Sequence, residues 1–224
     1  MNQLPDGSRS RVFGVYPAIV ADLEDPLEQG RIQVRLPWLA EPDGGQVRAW
    51  ATVLSPYADD DQGLQMLPER GSLVIVAFEA GDPDRPYVLG SAWNGTTTLP
   101  RPARNTNNLR TLKSRAGSRL EFDDTPASPK VALTVAGDSS GAVHKIVLDD
   151  AADTVTIKAR NGAEITITAG GGITINANTS VAVRAPMVKV DAAMSTFTGV
   201  VKCETLIATT VMGATYTPGA GNIW

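Results

Sequence analysis

Apolar and polar residues follow two different rhythms along this chain. In the first half, short apolar runs are separated by strong turn signals. Arg31-Ile-Gln-Val-Arg-Leu36 alternates polar with apolar, the mark of a strand with one buried face. Val47 to Leu54 is a second candidate strand, and Leu73-Val-Ile-Val-Ala-Phe78 is more continuously apolar, which predicts burial on both faces. Gly81-Asp-Pro-Asp84 reads as a turn, followed by a strand at Tyr87-Val-Leu-Gly-Ser91. With Val12 to Ala21 at the start, these segments predict the five strands of a small OB-type barrel.

The second half repeats itself. Pairs of β-branched or Leu residues two positions apart recur at Ile146/Leu148, Val155/Ile157, Ile165/Ile167, Ile173/Ile175, Val181/Val183 and Val188/Val190. The steps between pairs are 9, 10, 8, 8 and 7 residues, and Thr, Ala, Asn and Ser fill the positions between. Alternation puts each pair on one face of a strand, and the regular step marks a repeat architecture. A step near eight leaves too little chain for a coil of a single-chain solenoid, which takes about 20 or more residues. Three chains wound about one axis solve the problem: each strand pairs with a neighbouring chain, and the apolar pairs fill the centre. The expected fold is therefore all-β, an N-terminal OB-fold barrel followed by an intertwined triple-stranded β-helix made by three chains. A β-sandwich with regular strands is the alternative. The domain reading is 1–98 for the barrel, 99–110 for a Pro- and Asn-rich linker, and 111–224 for the needle with its tip.

Composition agrees with the division. Of 15 prolines only Pro186 and Pro218 follow residue 130, and of the aromatic residues only Phe197, Tyr216 and Trp224 follow residue 161. A needle so poor in aromatics has a thin core of its own, which favours sharing one between chains. The net charge of -4 and the absence of a Lys/Arg run argue against nucleic acid as a partner, because phosphate contacts require a basic face. The single cysteine, Cys203, excludes an intrachain disulfide and reads as a small apolar residue. No apolar run of 18 residues occurs, and Met1 to Arg11 lacks an apolar signal core, so assembly in the cytoplasm without Sec-type export is expected.

Three motifs stand out in the barrel half: Gly30-Arg-Ile-Gln-Val-Arg-Leu-Pro-Trp38, Leu67-Pro-Glu-Arg-Gly-Ser-Leu-Val-Ile-Val-Ala-Phe78 and Phe78-Glu-Ala-Gly-Asp-Pro-Asp-Arg-Pro-Tyr-Val-Leu-Gly-Ser-Ala-Trp-Asn-Gly95. Together they resemble the spike family that includes phage baseplate assembly protein V (gpV) and VgrG. Leu112-Lys-Ser-Arg-Ala-Gly-Ser-Arg-Leu-Glu-Phe-Asp-Asp124 is similar to the family's entry into the β-helix. The resemblance implies a trimeric, membrane-piercing structural spike at the end of a tail tube, in a phage tail baseplate or related contractile injection system. It implies a hub protein beneath the barrels, often a PAAR-type cap at the tip, and transient contact with the target-cell envelope. A type VI secretion-like spike component is the alternative setting. About ten residues precede the first strand, so the hub is expected to be a separate chain. The 99–110 linker has no room for an inserted lysozyme domain, and the His-x-His iron apex of other short spikes is absent.

The candidate site residues are accordingly those of assembly. Ile165, Ile167, Ile173, Ile175, Val181, Val183, Val188 and Val190 are expected to form the trimer core. Asn222, Ile223 and Trp224 are expected at the tip or against a PAAR protein, because an aromatic and a Pro-Gly turn return only at the terminus; a frayed tail is the other reading. No catalytic residue, metal or cofactor is expected. His144 has no triad around it. Asp59-Asp-Asp61 reads as a solvated loop without the ligand spacing of a calcium site, Asp149-Asp150 with Asp153 as a turn between strands, and Asp123-Asp124 sits before a Pro-containing turn. Gly170-Gly-Gly172 lacks the Lys-Ser/Thr and helix of a phosphate loop and reads as a tight passage between strands. Two rivals from other classes are an OB-fold nucleic-acid binder, which needs stacking aromatics in a basic groove, and a cell-wall hydrolase, which needs paired carboxylates in a cleft.

Overall fold

The computed structural model describes residues 11–40, 43–136 and 143–215. Among them there is no α-helix, and the chain divides into two units, Met1–Asn178 and Thr179–Trp224.

The first unit begins with a closed five-stranded barrel. Its strands are β1 (Val15–Asp22), β2 (Arg31–Ala40), β3 (Gln46–Val53), β6 (Leu73–Phe78) and β7 (Pro86–Ser91), joined in the order β1-β2-β3-β7-β6. Only the closing β3–β7 contact is parallel; the other pairs are antiparallel. A two-residue hairpin, β4 (Ala58–Asp59) with β5 (Gln62–Gly63), projects from the β3–β6 connection. The alternation expected in β2 is observed: Ile32, Val34 and Leu36 are buried while Arg31, Gln33 and Arg35 are partly exposed. In β6 the expectation of burial on both faces is corrected. Val74, Val76 and Phe78 fill the barrel, but Leu73, Ile75 and Ala77 are only half-covered, because nothing packs fully over the barrel's outside.

The core is small and aliphatic, sealed at one end by aromatics. Tyr16 stacks on Trp38 at 4.3 Å, and Phe78 meets Trp38 edge-on at 6.0 Å. The Trp38 indole N–H donates to the Pro17 carbonyl at 3.0 Å, so the ring's polar edge is satisfied. Each fully buried aliphatic side chain contributes about 1.5–3 kcal/mol.

Two barrel motifs have plain structural reasons. Asp25 opens the β1–β2 turn. It accepts hydrogen bonds from the backbone N–H of Leu27 and Gln29 and from Arg31 Nε and Nη2, at 3.0, 3.0, 2.9 and 2.8 Å. The Arg31 guanidinium lies 5.9 Å from the Trp50 ring centre. In the Glu79–Gly81 turn, Gly81 is buried at φ +82°, its carbonyl accepts from Val12 N–H at 2.8 Å, and an added Cβ would stand 3.1 Å from Arg11 Cβ and the Phe13 ring. Only glycine fits both the backbone and the space.

After the barrel, seven strands form one antiparallel meander: β8 (Leu109–Lys113), β9 (Arg119–Asp123), β10 (Lys130–Thr134), β11 (Lys145–Asp149), β12 (Thr154–Lys158), β13 (Glu164–Thr168) and β14 (Ile173–Asn176). Within the single chain every strand from β8 to β14 pairs with its sequence neighbours. Most of the connecting turns are short, so closing each hairpin costs little entropy. Gly117, Gly162 and Gly171 take positive φ in three of these turns. Gly170-Gly-Gly172 is the β13–β14 turn, in which Thr168 N–H donates to the Gly172 carbonyl at 3.0 Å.

In the second unit, residues 179–215 contain no strand, and their side chains are exposed.

Candidate assembly surface

Register converts the meander into a two-sided object. Cross-strand partners place Leu112, Leu120, Leu133, Ile146, Ile157, Ile165 and Ile175 in one row across the seven strands. Phe122, Val131, Leu148, Val155, Ile167 and Ile173 form a second row beside it, begun by Arg110 on β8. Both rows lie on one face, because residues two apart on a strand share a face. Six inter-strand spacings of about 4.8 Å make an apolar strip roughly 29 Å long. In the single chain the strip is largely open: Leu120, Val131 and Val155 are partly covered, and its other apolar members are between 38% (Ile146) and 66% (Ile173) exposed.

The opposite face is polar and internally satisfied along most of its length. Glu121 accepts from Arg101 Nε at 2.6 Å and Nη2 at 2.8 Å, and from the Thr111 hydroxyl at 3.0 Å. Arg101 thus straps the segment after the barrel onto this face, and its guanidinium holds the Glu121 carboxyl below the ordinary glutamate range. Lys130 bonds Asp149 at 2.7 Å and lowers its pKa, while Lys158 does the same for Glu164 at 3.1 Å. On the strip's own face, Arg110 at the head of the second row pairs with Asp124. Arg115, in the β8–β9 turn, reaches Glu69 of the barrel at 3.1 Å.

The four isoleucines expected in a trimer core, Ile165, Ile167, Ile173 and Ile175, are brought together on adjacent strands of the open strip. Val181, Val183, Val188 and Val190 fall in the second unit, where they are 58–71% exposed and belong to no strand. Asn222, Ile223 and Trp224 lie outside the described residues. The repeat begins earlier than its sequence signal, since Leu120/Phe122 and Val131/Leu133 are also pairs two apart. The 15-residue step from Val131 to Ile146 interrupts the regular interval and hid them. Asp59, Asp123 and Asp149 end strands and the others lie in the turns that follow: Asp61 has φ +51° in the β4–β5 hairpin, and Asp153 N–H closes onto the Asp150 carbonyl at 3.1 Å. His144 Nδ1 accepts from the Arg160 N–H at 3.4 Å, a backbone contact with no nucleophile in it. Among the described residues no three His, Cys, Asp or Glu side chains gather as metal ligands.

Comparison with known proteins matches both halves. Residues 16–93 fit the family model of the type VI secretion system/phage-baseplate injector OB domain, and residues 139–195 fit that of the phage baseplate V C-terminal trimerisation domain. The type VI secretion system spike protein VgrG2a of Pseudomonas aeruginosa is 33% identical over 123 residues, 52% of this chain and 14% of that protein. The actin cross-linking toxin VgrG1 of Vibrio cholerae is 28% identical over 123 residues, again 52% of this chain but 11% of the relative. The spike protein VgrG3 of Vibrio cholerae is 29% identical over 110 residues, 46% of this chain and 11% of the relative. The chain thus spans between 11% and 16% of the length of these and similar curated relatives. A closed barrel that fits the injector OB-domain model, a fit to the trimerisation-domain model behind it, and spike proteins as relatives mean that the chain belongs to the baseplate-V/VgrG-like family of injection-system spike proteins.

Proposed function

We propose that three copies of this chain form the central, membrane-piercing spike of a contractile injection machine, and that the protein acts mechanically rather than as an enzyme. The observation that carries this reading is the open strip of two apolar rows on β8–β14. Left in water it is an aggregation surface; three strips facing one axis cover one another and leave the polar faces outside. The match of residues 139–195 to a trimerisation domain supports three as the number. In this reading Ile165, Ile167, Ile173 and Ile175 line the axis. The second unit, with Val181, Val183, Val188 and Val190 in the same two-apart pattern but without partners in its own chain, takes its strand partners from the other two chains as an intertwined β-helix.

The barrels would seat on a separate hub protein at the end of the tail tube, and Asn222, Ile223 and Trp224 would cap the tip or seat a PAAR-type protein. Sheath contraction would supply the energy. The setting is a phage tail baseplate or related injection particle, assembled in the cytoplasm; a type VI-like setting is the alternative that the VgrG relatives favour. Capsid, sheath and tube genes beside this one separate these settings.

The test of the assembly is mass in solution. Light scattering of the full chain should give three times 23.6 kDa, about 71 kDa, at micromolar concentration. A stable folded monomer overturns the proposal.

A further inference from the structure

The polar face of the meander carries two flanking rows of charge with opposite design. In one, Asp123, Lys130 and Asp149 stand side by side, so each cation has an acid as its cross-strand neighbour. In the other, Lys113 stands opposite Arg119, Arg119 opposite Thr134, Thr134 opposite Lys145, and Lys145 opposite Lys158. Like charges directly opposite each other destabilise a sheet, and this row has two such pairs. The nearby acids are already engaged. Glu121 is gripped by Arg101 and Thr111, and Glu164 by Lys158 and Thr166. Among the described residues no carboxylate makes a direct ion pair with Arg119 or Lys145; Arg119 acts on Glu121 only at longer range.

Between these two cations lies the one buried side-chain hydroxyl without a partner among the described residues. Thr134 is 5% exposed, and its Oγ1 has no hydrogen-bond partner. It lines a cleft of about 430 Å³ together with Gly117, Arg119, Ala136, Val143 and Lys145. A buried hydroxyl normally bonds, and one that does not marks a missing partner. A guanidinium, an ammonium and a hydroxyl converging on one cleft offer donors and positive charge with no acceptor of their own charge type. That combination suits a tetrahedral oxyanion, which takes the planar fork of Arg, the point charge of Lys and one hydroxyl donor.

We propose that Arg119, Thr134 and Lys145 form an oxyanion site, selective for phosphate groups, on the polar face of the β8–β14 sheet. The site is made by one chain's own sheet and does not depend on how many chains assemble. On a shaft that enters an envelope, phosphate would be met either free or on lipid headgroups, and the two sources are separable by experiment.

The full-length protein in its native assembly is titrated calorimetrically with inorganic phosphate, and binding is counted per chain. Saturable binding at one phosphate per chain is expected. Arg119→Gln and Lys145→Gln should each weaken it roughly tenfold, and Thr134→Val, which keeps the side chain's shape, should weaken it severalfold without lowering the melting temperature. Lys189→Gln, in the second unit, should leave it unchanged. A parallel arm uses vesicles of phosphatidylcholine with and without phosphatidic acid. Retention on the phosphatidic acid vesicles, lost in Lys145→Gln, assigns the site to membrane-borne phosphate; binding of free phosphate alone assigns it to a soluble ligand. No saturable binding in either arm, or binding that Lys145→Gln and Thr134→Val leave untouched, overturns the proposal.

Discussion

Ile157 on β12 stands directly across from Ile165 on β13, and in the single chain the two side chains remain 47% and 38% exposed. Neither has a polar atom to present to water, and each continues a row that crosses seven strands. In the proposed trimer this pair would be covered by the other chains.

Replacing Ile165 with Asp should therefore break the assembly. An unpaired carboxylate in a dry contact costs several kcal/mol, and the trimer would carry three of them. Light scattering should show a shift from trimer to monomer, while tryptophan fluorescence of the barrel, dominated by Trp38 and Trp50, stays native. A variant that keeps the trimer's mass and thermal resistance would place Ile165 away from the interface.

Gly81 offers a test confined to the barrel. Its φ of +82° and the 3.1 Å approach of Arg11 and Phe13 leave no room for a side chain. Gly81→Ala should lower barrel stability by about 1–3 kcal/mol, read from urea unfolding followed by Trp fluorescence. Unchanged stability would mean that the turn relaxes freely.

The acid limb of the stability profile should report Asp25. Its pKa is held well below the ordinary aspartate range, chiefly by the Arg31 hydrogen bonds, with the backbone N–H groups of Leu27, Gln29 and Arg31 adding to them. A carboxylate with a depressed folded-state pKa contributes stability above its unfolded value, near 3.8, and that contribution is lost as pH falls toward the folded value. Asp25→Asn should lower the melting temperature at pH 7 and flatten its fall between pH 5 and pH 2. Parallel acid limbs in the two proteins would exclude the role.

Arg101 and Glu121 should control the segment between barrel and sheet. The Glu121 pKa is lowered first by Arg101, so by the same sign the strap is intact above the unfolded value, near 4.5, and loosens as pH falls below it. Glu121→Gln should make residues 99–108 cleavable by protease at neutral pH, with the barrel and the sheet surviving as fragments. Equal resistance in variant and parent would show that the strap is dispensable.

Much of this molecule is local in origin. Alternation at Ile32, Val34 and Leu36, the Pro and Gly turns between apolar runs, and the two-apart pairs from Ile146 to Ile175 are properties of neighbouring residues, which is why the five barrel strands and the repeat were legible in the sequence. Even the side on which each pair stands follows from a period of two. Pairing partners are not local. Whether Ile165 faces Ile157 of its own chain or a strand of another depends on the length and geometry of the connecting turns. In the single chain the folded sheet pairs Ile165 with Ile157 and extends the same rows back to Leu112 across the irregular step at 131–146. The strap of Arg101 on Glu121 and the placing of Arg119 and Lys145 on either side of Thr134 are likewise products of register. Arg101 and Glu121, Arg119 and Thr134, and Thr134 and Lys145 meet only once the strands are laid side by side, and a one-residue slip would have turned the strand residues among them to the other face.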